Sequence, residues 1–105
     1  MLSPVKTNLP EKLKDRGYRS RFFRGRAQDE IAFKLKEARR KRGLTQAELG
    51  KKSGMKQSAI SRLEQSSYLK WNFQSLLRIG DALDMRVRVT LDYIEEVLGQ
   101  YQEGE

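Results

Sequence analysis

Apolar residues recur at helical spacing through the middle of the chain, and the period changes near its end. Ile31, Leu35 and Ala38 share one face of a segment that Asp29 can cap and Gly43 can stop, which predicts a helix from 29 to about 42. Thr45 and Glu48 stand in a T-x-x-E capping box, and Leu44 and Leu49 flank it as a hydrophobic staple. A short helix over 45–52 follows, ended by Gly54, where a residue without a β-carbon can take positive φ. A second short helix over 57–65 turns Ile60 and Leu63 inward, with Ala59 close to the neighbouring helix. Asn72 caps a further helix to about Leu83, whose broad apolar face holds Phe73, Leu76, Leu77, Ile79 and Leu83. Beyond Asp84, the residues Met85, Val87, Val89 and Leu91 alternate with Arg86, Arg88, Thr90 and Asp92, which predicts a strand over 85–91. A short acidic helix from Tyr93 to Gln100 completes the pattern.

The N-terminal part reads differently. Residues 1–15 hold Pro4 and Pro10 and few apolar anchors, so they read as a mobile arm. Tyr18 and Phe22 lie four residues apart in an arginine-rich stretch, which predicts a short amphipathic helix docked on the main body and broken or bent at Gly25. Three parts result: a basic arm over 1–28, a helical domain over 29–84, and a strand with an acidic tail over 85–105. The expected fold class is all-α, a bundle of about five helices with an N-terminal helical extension and one C-terminal strand.

Charge sharpens this picture. The net charge is +8. Residues 1–28 carry eight Lys/Arg against two acids, residues 29–84 twelve against seven, and residues 85–105 two against five. A basic front and middle suit a polyanion, with the acidic tail held away from it; solubility alone is the competing reading. Cysteine and histidine are both absent, which excludes disulfides, thiolate nucleophiles, zinc-finger sites and histidine bases. With no Gly-rich phosphate loop and no carboxylate pair in an evident motif, neither an enzyme nor a metal or other cofactor is expected. No apolar run approaches the roughly 20 residues that span a bilayer, and the N-terminus lacks a signal-peptide core, so a cytoplasmic location away from membranes is expected.

Residues 44–65, LTQAELGKKSGMKQSAISRLEQ, resemble the helix-turn-helix of the lambda-repressor/Cro-like group, also called the xenobiotic response element family. Its landmarks are Gln46, the small Gly50, the turn glycine Gly54, Gln57, Ile60, Leu63 and Glu64, and the resemblance extends over about 29–84. Two helices that cross closely need a small residue at the crossing, and Gly50 meets that need. The resemblance implies a DNA-binding regulator whose second helix enters the major groove of double-stranded DNA. Lys56, Gln57, Ser58, Ser61 and Arg62 then face the bases, with Gln57, Ser58 and Arg62 as the main readers: Gln pairs with adenine N6 and N7, Arg with guanine O6 and N7. The resemblance also implies that Gln46, in the first turn of its helix, holds a phosphate and braces Gln57. Asn72, with Lys70 and Tyr68, clasps a second phosphate, contacts that fix register without reading sequence. The resemblance further implies that Arg39 and Glu64 form an inner ion pair tying the first helix to the recognition helix.

Other readings stay open. Trp71 either packs beneath its loop or stacks on a base. The arginines of 16–26 form a solvated face, a second phosphate surface or a minor-groove arm. An unpaired strand over 85–91 would expose its edges, and pairing with a second copy would give a homodimer on a palindromic operator. Pairing with another protein is the alternative, because antitoxins of the HigA kind share this helix-turn-helix and cover a toxin partner. A repressor and an antitoxin are therefore both compatible with the sequence.

Overall fold

The computed structural model describes residues 8–65 and 71–103. Among them are six helices and no strand: α1 (Leu9–Lys12), α2 (Arg16–Lys41), α3 (Gln46–Ser53), α4 (Gln57–Leu63), α5 (Phe73–Ala82) and α6 (Ile94–Glu103). The described residues fall into two compact units, one within Gly25–Arg88 and one of those up to Arg24 together with those from Val89.

In the larger unit α3 packs on α4 and α5. Its core is Leu35 and Ala38 of α2, Leu49 of α3, Ile60 and Leu63 of α4, and Ile79 and Leu83 of α5 and its end; Leu44, Met55, Trp71 and Ala82 pack around them. Trp71 thus takes the packing role rather than standing free for a base. Both staple leucines, Leu44 and Leu49, join this core.

The helix ends follow their local chemistry. Thr45 Oγ1 accepts from the Glu48 amide at 3.0 Å, and Glu48 Oε1 accepts from the Thr45 amide at 2.8 Å, the reciprocal capping box. Asn72 Oδ1 caps α5 through the Ser75 amide at 2.8 Å. Gly43 and Gly54 take φ of 70° and 72° where α2 and α3 stop. Lys56 precedes α4 without a side-chain cap, so α4 starts without the side-chain partner that Thr45 and Asn72 give α3 and α5. Ser53 is buried, and its hydroxyl donates to the Leu49 carbonyl at 2.8 Å.

Several expectations are corrected. The strand over 85–91 is absent, because a strand exists only by pairing and the described chain offers it no neighbour. Instead the chain turns at Asp84, which takes φ of 57°, and the Met85 amide donates back to the Gly80 carbonyl at 2.8 Å. Val87 then lies over Gly80, so close that a β-carbon there would stand 2.7 Å from its Cγ2. Gly25 does not break the helix: α2 runs through it for 26 residues. A single glycine costs about 1 kcal/mol against alanine, less than ending and restarting a helix between good helix-formers. Asp29 therefore sits inside α2 and caps nothing; Asp15 does that work, its Oδ2 accepting from the Tyr18 amide at 2.7 Å. Phe73 and Leu77, on the broad apolar face expected of α5, are 59% and 42% exposed.

The smaller unit replaces the expected loose arm over its described part. α1 packs on α6, and Leu13 is fully buried. Tyr18 stacks on Phe22 and Phe22 meets Phe23 edge-on along α2, and both phenylalanines meet Tyr101 of α6 edge-on at 6.0 and 5.7 Å between ring centres. The aromatics thus dock on the C-terminal helix. Arg19 donates to the Leu13 carbonyl at 3.3 Å and closes the end of α1.

Candidate nucleic-acid interface

The site begins with the crossing of α3 and α4. Gly50 makes it possible: a β-carbon there would lie 2.6 Å from the Met55 carbonyl oxygen and 3.3 Å from the Gln57 nitrogen. The turn between the helices is closed by the Met55 amide donating to the Gly50 carbonyl at 2.7 Å, with Gly54 in the left-handed region. This turn fixes where α4 starts relative to α3.

With Ile60 and Leu63 buried, the opposite side of α4 is left outward. Lys56, Gln57, Ser58 and Arg62 are exposed, and Ser61 is half-buried. Among the described residues Gln57 is the one side chain of this stretch that makes a hydrogen bond, and it runs to Gln46: Nε2 donates to Gln46 Oε1 at 2.7 Å. Gln46 in turn donates from Nε2 to Glu64 Oε1 at 3.1 Å. Exposed Lys51 and Lys52 of α3 add positive charge to the same unit.

Beneath this surface Arg39 and Glu64 form a bidentate pair, Nε to Oε2 at 2.6 Å and Nη2 to Oε1 at 3.1 Å. Their side chains are only 11% and 4% exposed. Arg39 also donates from Nη1 to the Leu44 carbonyl at 2.8 Å, linking α2 to the start of α3. Burial alone would push the Glu64 carboxyl up. Hydrogen bonds from Arg39 and Gln46, with the charges of Arg39 and Lys36, outweigh it and hold the group below its ordinary value. The hydrogen bond to Glu64 likewise raises the Arg39 guanidinium against the cost of burial. Both remain charged at neutral pH.

The remaining candidates divide. Asn72 is exposed at the start of α5, with its side-chain oxygen engaged in the cap. Tyr68 and Lys70 lie outside the described residues. One residue escaped the sequence reading: Arg42 donates from Nε to the Leu83 carbonyl at 2.9 Å and from Nη2 to the Asp84 carbonyl at 3.3 Å, so the end of α2 closes the end of α5. An arginine at a helix end opposite another helix's carbonyls is its only signal, and that needs the tertiary fold. Among the described residues no group of three or more acids stands where it could hold a metal ion.

A family model described as helix-turn-helix matches residues 35–87, half of the chain. The chain belongs to the helix-turn-helix family. More closely, the match is to its lambda-repressor-like, xenobiotic response element branch, and it supports DNA binding and transcription regulation as the general role. In helix-turn-helix terms α3 and α4 are the paired helices. No curated protein and no solved structure matches the chain. No helix of the described residues is long and apolar enough to cross a membrane.

Proposed function

We propose that this protein is a sequence-specific repressor of transcription that binds a palindromic operator as a homodimer and reads the major groove with α4. The observation that carries this reading is the outer side of α4, where Lys56, Gln57, Ser58 and Arg62 are exposed while Ile60 and Leu63 anchor the helix from behind. Gln57 takes adenine, Arg62 takes guanine, and Ser58, Ser61 and Lys56 complete the edge contacts. Gln46 and Asn72, at the first turns of α3 and α5, hold phosphates and set the register. The role is binding, not catalysis, and it is exercised in the cytoplasm on double-stranded DNA.

Dimerisation falls to the exposed Phe73 and Leu77 of α5, four residues apart, in place of the strand that is absent. Two copies would set their α4 helices about 34 Å apart, one turn of duplex.

An antitoxin is the second reading. It is favoured by Val89, Leu91 and Tyr93, which lie beyond the matched residues and are 58%, 95% and 73% exposed, an apolar stretch that a protein partner would cover. Selection of duplexes from a random library at fixed salt tests the first reading. Enrichment of two inverted half-sites about 10 base pairs apart supports it; recovery of unrelated sequences with uniform affinity refutes it.

A further inference from the structure

Gln57 is tethered, and the tether has a direction. A primary amide can be turned end for end with little change in shape, since its oxygen and NH2 group are alike in size. Here the chemistry of the neighbours forbids the reversal. An ionised carboxylate only accepts hydrogen bonds, so Glu64 can be met by the NH2 end of Gln46 alone, as it is at 3.1 Å. The oxygen of Gln46 is then left for Gln57, which must answer with its own NH2, as it does at 2.7 Å. Arg39, paired to Glu64 through two hydrogen bonds, holds the carboxylate in place at the root of the series.

We propose that Glu64, acting through Gln46, is a specificity-determining positioning residue that fixes the polarity of the Gln57 amide toward adenine and against guanine. This rests on α4 being the reading helix. With one N–H of Gln57 spent on Gln46, the amide has one N–H and its oxygen left for a base. Adenine offers the matching pair in the major groove, an acceptor at N7 and a donor at N6; guanine offers two acceptors, N7 and O6. An untethered glutamine can turn both of its N–H groups to guanine. The tethered one sets its oxygen against guanine O6, lone pair to lone pair. Glu64 cannot touch the base itself, because its side chain is only 4% exposed. The second hydrogen on Gln46 Nε2 remains free for a phosphate, so positioning and phosphate contact coexist on one residue.

The test is selection from a random duplex library, at one salt concentration, with the wild type and three variants. Gln57→Ala locates the position that Gln57 reads by erasing the preference there. Gln46→Leu cuts the tether while leaving the Arg39–Glu64 pair intact, and Glu64→Gln replaces the acceptor-only group by one that can present either end. At that position the wild type should select adenine, and both tether variants should lose on the order of tenfold in adenine-over-guanine preference, with the other positions unchanged. A residue that only stabilised the fold, or only held a phosphate, would weaken all sequences alike. Because Gln46→Leu keeps the buried pair, a failure of Glu64→Gln to fold leaves the result readable. If the wild type selects guanine there, or if Gln46→Leu or a folded Glu64→Gln keeps the wild-type ratio, the positioning role is overturned while the reading helix stands. If the wild type selects no sequence, the reading helix falls and this role with it.

Discussion

Gly50 faces the carbonyl oxygen of Met55 so closely that no β-carbon could be accommodated without moving the turn, the two standing 2.6 Å apart once such a carbon is built. The obstacle is backbone, which cannot swing away as a side-chain end would. Gly50→Val should therefore cost at least about 2 kcal/mol and displace the start of α4, exceeding any gain in helix propensity over glycine. Trp71, the sole tryptophan, packs against the core and gives the readout in urea. A variant as stable as the wild type would show that the helices cross farther apart.

The Arg39–Glu64 pair joins α2 to the end of α4 with little access to water. Arg39→Ala leaves a carboxylate with Gln46 as its remaining partner, and the expected loss is about 3 kcal/mol. Denaturant midpoints measure it. A loss under about 0.5 kcal/mol would mean that the pair is solvated and contributes as a surface bridge does.

The same carboxylate gives a pH dependence with a definite sign. Glu64 is held below its ordinary value of 4.5 in the folded chain. Its contribution is therefore fully present above that value and is lost as pH falls through the lower folded value. Stability measured from pH 7 downward should fall in the acid range, and the slope there should be shallower in Glu64→Gln. Equal slopes in both proteins would assign acid unfolding to other carboxylates.

Asp84 ends α5 in a conformation that costs an L-residue energy, at φ of 57°. The turn is closed by the Met85 amide donating to the Gly80 carbonyl and the Asp84 amide donating to the Asp81 carbonyl. Glycine takes this conformation without the side-chain penalty, so Asp84→Gly should stabilise the protein by about 0.5–1 kcal/mol. Thermal unfolding checks this; a destabilised variant would indicate that the Asp84 side chain contributes more than its strain removes.

What could be read from the sequence was local. Thr45 with Glu48, Asn72, Gly43 and Gly54 each act within a turn or so of themselves, and the structure uses each as a boundary. The two-residue alternation of 85–91 is also local, but a strand depends on a partner, and Val87 found Gly80 instead. Asp29 and Asp15 carry the same capping chemistry; which one acts depends on whether the helix survives Gly25, a balance of about 1 kcal/mol that no short window decides. Tyr101 meeting Phe22 and Phe23, and Arg42 reaching Leu83, join parts of the chain far apart in sequence. The link from Gln46 to Glu64 was missed for the same reason: the Gln46–Gln57 brace and the Arg39–Glu64 pair were each expected alone, and only the crossing of α3 and α4 joins them.

The central claim is that the outer side of α4 reads base edges. Its most direct measurement is the ratio of affinities for an enriched duplex and a scrambled one of equal length, at one salt concentration, for the wild type, Gln57→Ala and Arg62→Ala. Each substitution should lower that ratio by an amount worth about 1–3 kcal/mol while leaving affinity for the scrambled duplex nearly unchanged for Gln57→Ala. A ratio equal to that of the wild type in both variants would contradict the account.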